Sequence, residues 1–172
     1  MLTVHEIVAR GEAALRWLTL MCLLACPLAS QAQADSKNVD DLLLQAQTAL
    51  ARGKSQDSVA ILRKAITLAP QRADLYLLRS RANKSSGRYE AALEDANKYI
   101  ELEPEDPEGY LIRSRVHVSL ERNDKALADA NKAIALAPGE PDGYYRRSDV
   151  YLEMGREAEA KADEDKAESL DK

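Results

Sequence analysis

The sequence predicts an all-α solenoid of about four antiparallel helix pairs, and three observations support this prediction. Prolines recur 34 residues apart, at Pro70, Pro104 and Pro138. Leucines follow the same spacing, at Leu68, Leu102, Leu136 and Leu170. Glycines at Gly53, Gly87 and Gly155 divide three of the units into two helical stretches. A repeat of this length is the signature of units that bury their apolar faces only against their neighbours.

The N-terminal residues differ from the repeats and resemble a secretory signal peptide. An uncharged apolar run covers 17–29 and is preceded by Arg10 and Arg16. Small residues follow it, with Ala32 and Ala34 forming an A-x-A site. The run is shorter than the ~20 apolar residues that a membrane-spanning helix needs. We therefore expect 1–34 to be a signal peptide and 35–38 a short polar linker, with export to the periplasm.

A second processing site lies inside the same apolar run. Residues Leu23, Leu24, Ala25 and Cys26 resemble the lipobox of bacterial lipoproteins, in which the cysteine becomes lipidated. Lipidation of Cys26 would make the chain an outer-membrane lipoprotein, and a membrane would be a partner only in that case. Cleavage after Ala34 and lipidation of Cys26 stay open as alternatives.

The repeats form one domain, 39–172, with the units 39–72, 73–106, 107–140 and 141–172. Within a unit, a first helix and a second helix flank the glycine, and the proline ends the second helix because it disfavours helical geometry in the residue before it. Pro107 and Pro141 suit the first turn of the next helix. In the last unit, Glu164 and Glu168 replace Ala130 and Ile134. A polar outer face is typical of a terminal repeat, so we expect 157–170 to act as a C-terminal cap.

Each unit resembles a tetratricopeptide repeat, whose pattern is W-x2-L-G-x2-Y, then A-x3-F, then P. The second unit matches with Tyr76-x2-Arg79-Ser80-x2-Asn83, then Ala92-x3-Ala96, then Pro104. The third unit repeats these positions, the fourth lacks the final apolar residue and the proline, and the first is weakest at its start. The resemblance implies helix–turn–helix units whose first helices line a concave groove for a partner protein or peptide.

Composition excludes several kinds of function. The segment 1–34 contains both cysteines, so the repeats offer no thiol for a disulfide, a zinc cluster or catalysis. The net charge of −5 is unchanged without that segment, and an acidic body of this kind is not a general nucleic-acid binder. His117 is the one histidine of the repeats, and a packing role suits it better than a functional one. We expect no catalytic residue, no cofactor and no metal site, and keep an enzyme only as a residual hypothesis.

The predicted partner groove consists of positions on the first helices that face away from the packing column. Helical spacing selects Leu77, Arg81, Lys84, Leu111, Arg115, Val118, Tyr145, Asp149 and Leu152. The alternative is that these are ordinary solvated residues. Chaperone-binding members of the family hold a terminal carboxylate with a Lys/Asn/Arg clamp. The corresponding residues here are Leu43, Gln47, Leu78, Glu108 and Ile112, so the clamp is absent.

Two further columns carry opposite charges and predict structural ion pairs. Arginine occupies the first helix and aspartate the second helix, sixteen residues later. In the first unit these positions are Gln45 and Ile61, so both charges are missing together. We expect each arginine to contact the aspartate of its own unit; pairing with the preceding unit is the alternative. The expected pairs are Arg79 with Asp95, Arg113 with Asp129, and Arg147 with Asp163.

These observations predict a non-catalytic adaptor or assembly factor of the bacterial cell envelope, which binds another protein or peptide through its groove. The alternative is a lipidated outer-membrane subunit of an envelope or pilus assembly machine.

Overall fold

The computed structural model describes residues 36–171, and this part of the chain contains eight α-helices and no strand. Helix α1 covers 36–51. The others are α2 (Ser55–Leu68), α3 (Ala73–Ser85), α4 (Tyr89–Leu102), α5 (Pro107–Ser119), α6 (Asn123–Leu136), α7 (Pro141–Glu153) and α8 (Glu157–Leu170). Contacts divide the chain into 1–41 and 42–172. Of the part that ends at 41, the structure describes residues 36–41, which are helical.

From α2 to α8, each helix packs on the next one along the chain, and the first helices α3, α5 and α7 also contact one another in succession. This arrangement of adjacent pairs confirms the predicted all-α solenoid. The turn inside each pair needs a residue with positive φ. Gly53, Gly87 and Gly155 have φ of 75°, 73° and 72°, a conformation that glycine adopts without steric cost. Glu121 occupies the same position of the third pair with φ 57°.

Prolines mark the junctions between pairs. Pro107 and Pro141 begin α5 and α7, where the missing N–H has no intrahelical acceptor to lose. The side chain of Asp106 caps α5 by accepting a hydrogen bond from the backbone N–H of Glu108 at 2.9 Å. Each junction is also held by a tyrosine hydroxyl that donates to a proline carbonyl six residues earlier. These bonds join Tyr76 to Pro70 (2.9 Å), Tyr110 to Pro104 (3.1 Å) and Tyr144 to Pro138 (3.3 Å).

Small residues allow the two helices of a pair to approach closely. Ser80 and Ser114 are fully buried, and their hydroxyls donate to the backbone carbonyls of Ala92 and Ala126 at 2.8 and 2.9 Å. Between pairs, a glycine allows the close approach of α7 to α6. A Cβ on Gly143 would lie 2.7 Å from Cγ1 of Ile134 and 3.2 Å from its backbone nitrogen. The close packing fixes where each first helix, and hence each candidate site residue, lies relative to the preceding unit.

Candidate functional site

The structure places each arginine of the charged columns against the aspartate of its own unit. The aspartates are buried, and the arginines lie at the seam between first and second helix. Both Nε and Nη2 of each guanidinium donate to the carboxylate, an arrangement in which two parallel bonds fix the geometry. The Nη2–Oδ1 distances are 2.6 Å for Arg79–Asp95, 2.7 Å for Arg113–Asp129 and 2.7 Å for Arg147–Asp163.

In the third and fourth units, the remaining guanidinium nitrogen links the arginine to the preceding unit. Nη1 of Arg113 donates to the side-chain carbonyl of Asn97 at 2.8 Å, and Nη1 of Arg147 donates to that of Asn131 at 2.7 Å. Sequence reasoning missed these amides, although their 34-residue spacing could have indicated them. The arginine in each unit also lies over a tyrosine ring, as Arg113 does over Tyr110 at 5.6 Å. These contacts make the arginine column part of the scaffold.

His117 lies beside the same network. Its Nε2 is 3.8 Å from Oδ2 of Asp129, and its Nδ1 is buried without a hydrogen-bond partner. Burial lowers the pKa of His117, and the charges of Arg113, Lys125 and Arg122 lower it further, whereas Asp129 opposes them. In the second unit the equivalent residue is Asn83, which donates to Asp95 at 2.9 Å. A neutral, packed imidazole is therefore the form that the folded chain favours.

The predicted groove residues lie on α3, α5 and α7, which pack side by side. We call the surface that these residues form the first-helix surface. Arg81, Asp149 and Leu152 are exposed, and most of the others are half-buried. Leu111 was predicted wrongly: it is 3 % exposed and belongs to the core. Its column neighbours Leu77 and Tyr145 remain half-buried, so apolar contact with a partner would come from them.

Glu108 joins the two predicted arginines of this surface. Its Oε1 lies 2.5 Å from Nη2 of Arg81 and 3.8 Å from Nη1 of Arg115. One carboxylate thus serves two guanidinium groups, which leaves a surplus of positive charge. Both arginines keep about 40 % of the side chain exposed, with values of 45 % and 37 %. They are accessible to a further acceptor.

Arg146 adds a third arginine that sequence reasoning missed. Its side chain is 14 % exposed and contacts Asp149 at 2.5 Å, while its Nε is buried without a partner. Burial lowers the pKa of Arg146, and Arg115 contributes in the same direction. The signal was present in the sequence, since the equivalent residues are Leu78 and Ile112, and a cation in an otherwise apolar column is unusual.

The end of the first-helix surface meets the last helix. The hydroxyl of Tyr145 donates to Asp171 at 2.9 Å. Leu152 is 56 % exposed and lines, with Tyr145, Asp149 and Lys161, a cleft of about 330 Å³ between α7 and α8. Glu164, also in its lining, is exposed on α8. The cleft therefore combines an apolar wall with charges of both signs.

Several predictions concern residues outside the described part of the chain. These are the signal peptide, cleavage after Ala34 and lipidation of Cys26. Within 36–171, no helix is both long and apolar enough to cross a membrane. The same residues contain no group of three or more histidine, cysteine, aspartate or glutamate side chains that could hold a metal ion.

Adjacent helix pairs with an exposed row of first-helix side chains define a repeat scaffold of the protein–protein interaction type. The tetratricopeptide repeat model matches 43–110 and 111–171, and the chain belongs to this family. Among curated proteins, none matches this sequence.

Solved structures show the same fold. The crystal structure of MamA is similar with a TM-score of 0.68 at 26 % identity, covering 83 % of each chain. A thermophilic tetratricopeptide protein of Thermus thermophilus has a TM-score of 0.71 at 20 % identity, over 77 % of this chain and 74 % of its own. The first repeat domain of Spaghetti (RPAP3), bound to the HSP90 peptide SRMEEVD, has a TM-score of 0.64 at 17 % identity, over 70 % and 95 %.

Proposed function

We propose that this protein is a non-catalytic adaptor or assembly factor of the bacterial cell envelope, which binds an acidic segment of a partner protein along the first-helix surface. The observation that carries the proposal is the surplus of arginine there. Within 36–171, the ion pairs of Arg81, Arg115 and Arg146 involve two carboxylates, those of Glu108 and Asp149. Exposed arginines favour carboxylate and carbonyl acceptors, and Leu77 and Tyr145 add apolar contact.

The chaperone tail of the HSP90 complex is not the expected ligand. That complex belongs to a neighbour at 17 % identity. The positions where a carboxylate clamp would lie hold Leu78 and Ile112 here, and Ile112 is buried. An acidic segment recognised by surface arginines fits this chain better.

The test is binding of a synthetic peptide with alternating glutamate and leucine, compared with its glutamine analogue. We expect Arg81→Glu combined with Arg115→Glu to weaken binding and to flatten its salt dependence, because rim charges act through screened electrostatic attraction. Lys64→Glu combined with Lys166→Glu is the control, since it changes the net charge equally on the second helices. Equal binding by both double variants would place the contact surface elsewhere.

The envelope location rests on the N-terminal sequence, in which an apolar run precedes an A-x-A site. The periplasm is the proposed location. The alternative, an outer-membrane lipoprotein of an envelope or pilus assembly machine, rests on the lipobox-like residues ending at Cys26. The mass of the mature chain separates the two: a chain beginning at Asp35 supports the periplasmic adaptor, and an acylated Cys26 supports the lipoprotein.

A further inference from the structure

At one junction between units, the column arginine lacks the asparagine partner that it has at the other two. Arg113 and Arg147 each use Nη1 to reach an asparagine of the preceding unit. For Arg79 the equivalent position holds Arg63 instead of asparagine. The hydrogen bonds of Arg79 within 36–171 come from Nε and Nη2 and go to Asp95. At this junction, a second arginine therefore stands at the sequence position where the other two junctions have an asparagine.

A cavity of about 210 Å³ lies at this position, between α2 and α4. Its apolar lining consists of Val59 and Ala91. Its charged lining consists of three arginines and two carboxylates: Arg63, Arg79, Arg88, Glu94 and Asp95. The cavity is separate from the first-helix surface, because most of its lining comes from second helices.

The lining leaves arginine donors without a carboxylate. Asp95 is already bonded to Arg79 and Asn83. The Arg88 side chain donates only to the hydroxyl of Ser86, at 3.2 Å, among the contacts of the described residues. Within the same residues, the Arg63 guanidinium has no hydrogen bond or ion pair, and Glu94 contacts none of these arginines within 4.0 Å. Arg63 and Arg88 are exposed, so these donors are accessible to an acceptor from another molecule.

We propose that this cavity binds a single carboxylate of a partner peptide, held between the guanidinium groups of Arg63 and Arg79. A planar guanidinium fork matches a carboxylate, and the acceptor would occupy the place that Asn97 takes beside Arg113. With three cations and two anions in the lining, one negative charge neutralises the site. Its volume is below the roughly 300 Å³ at which drug-sized ligand pockets begin, so it suits one side chain or chain terminus.

This inference does not depend on the proposed function of the first-helix surface. The test uses the full chain and follows the Nε–H signal of Arg79 by nitrogen-15 NMR. The probes are N-acetyl-Gly-Glu-Gly-amide, its glutamine analogue, sodium acetate and inorganic phosphate. We expect a saturable shift with the glutamate peptide and none with the glutamine peptide. Equal responses to these two peptides would overturn the proposal.

Arg63→Asn is the decisive variant, because it copies the asparagine found at the other two junctions. Its melting temperature should be at or above that of the parent chain. Its affinity for the glutamate peptide should be about tenfold lower, the loss expected for one charge-assisted hydrogen bond. Unchanged peptide affinity in Arg63→Asn would overturn the proposal. Glu94→Gln should strengthen binding, because it removes the neighbouring negative charge.

The remaining probes identify the source of the carboxylate. Acetate binding as tightly as the peptide would overturn the assignment to a peptide and indicate a free small carboxylate. Tighter binding of phosphate would overturn the assignment to a monoanion. Asn97→Arg tests whether an arginine at this position is enough to create a site. It should produce a second saturable site, reported by the Nε–H signal of Arg113. Without a new site in Asn97→Arg, an arginine pair at this position would not be sufficient to bind a carboxylate, and the proposal would fail.

Discussion

Arg113 holds the carboxylate of Asp129 with two parallel hydrogen bonds, Nε to Oδ2 at 2.9 Å and Nη2 to Oδ1 at 2.7 Å. The side chain of Asp129 is 8 % exposed and that of Arg113 is 24 % exposed. Replacing such a pair as a whole can be nearly neutral, whereas removing one partner leaves an uncompensated buried charge.

The first prediction follows from this asymmetry. Arg113→Ala should lower the free energy of unfolding by about 3 kcal/mol, since Asp129 loses its main partner. Arg113→Ala combined with Asp129→Ile should cost much less, because the first unit already lacks both charges, with Gln45 and Ile61 in their places. Urea denaturation of both variants measures the difference. A double variant as unstable as the single one would show that the cost comes from lost packing.

The second prediction concerns the close approach at Gly143. Gly143→Ala should destabilise the chain by about 1–3 kcal/mol, because the new Cβ would overlap Ile134 and the backbone of α6 cannot move away cheaply. Gly139→Ala is the matched control, since a Cβ there meets nothing within 4 Å. The two melting temperatures should differ, with the control close to the parent chain. Equal values would mean that the helices separate without cost.

The third prediction concerns the turn of the third helix pair. Glu121 has φ 57°, in the left-handed region, where glycine occupies the same position of the other pairs. Glu121→Gly should stabilise the chain by about 1 kcal/mol, because it relieves the contact between Cβ and the backbone. Gly87→Ala should have the opposite effect. Thermal melting checks both, and a less stable Glu121→Gly variant would contradict the argument.

The fourth prediction concerns pH and His117. Burial lowers the pKa of the folded histidine below its ordinary value of 6.5, so the unfolded chain binds the proton more readily. The stabilisation is fully present above pH 6.5 and should be lost as the pH falls from 6.5 through the folded pKa. His117→Asn, which copies Asn83, should lack this part of the pH dependence. Melting temperatures between pH 7.5 and 5 compare the two chains. Parallel curves would contradict the prediction, since the variant has no imidazole at this position to bind the proton.

Sequence repetition predicted those features that recur in each unit. The helix pairs, the positive-φ glycines and the prolines at Pro107 and Pro141 depend on local geometry, which a single unit encodes. Burial on the first helices depends on neighbouring units as well. Leu77 and Leu111 share one column, yet only Leu111 is buried. A column position alone therefore could not separate core residues from partner-facing ones.

Contacts between units were the least predictable part. The bond from Arg113 to Asn97 joins residues sixteen positions apart in different units, and neither residue indicates it alone. The burial of Arg146 could not be predicted either. Its side chain is 14 % exposed because it occupies a position that is apolar in the preceding units, as at Ile112. Such contacts require the packing of one pair on the next, which the 34-residue period does not specify.

Position 63 holds an arginine instead of an asparagine, and this difference should determine which part of the array unfolds first. Arrays of repeats unfold roughly as a chain of units coupled only to their neighbours, so the weakest coupling opens first. Among the described residues, the junctions before Arg113 and before Arg147 each have a guanidinium–amide bond, whereas the junction before Arg79 has none. The helices before this junction should fray ahead of the rest, and amide protons of α2 should exchange with solvent sooner than those of α6. A partner whose carboxylate binds between Arg63 and Arg79 should slow this exchange, because it would hold the first two units together.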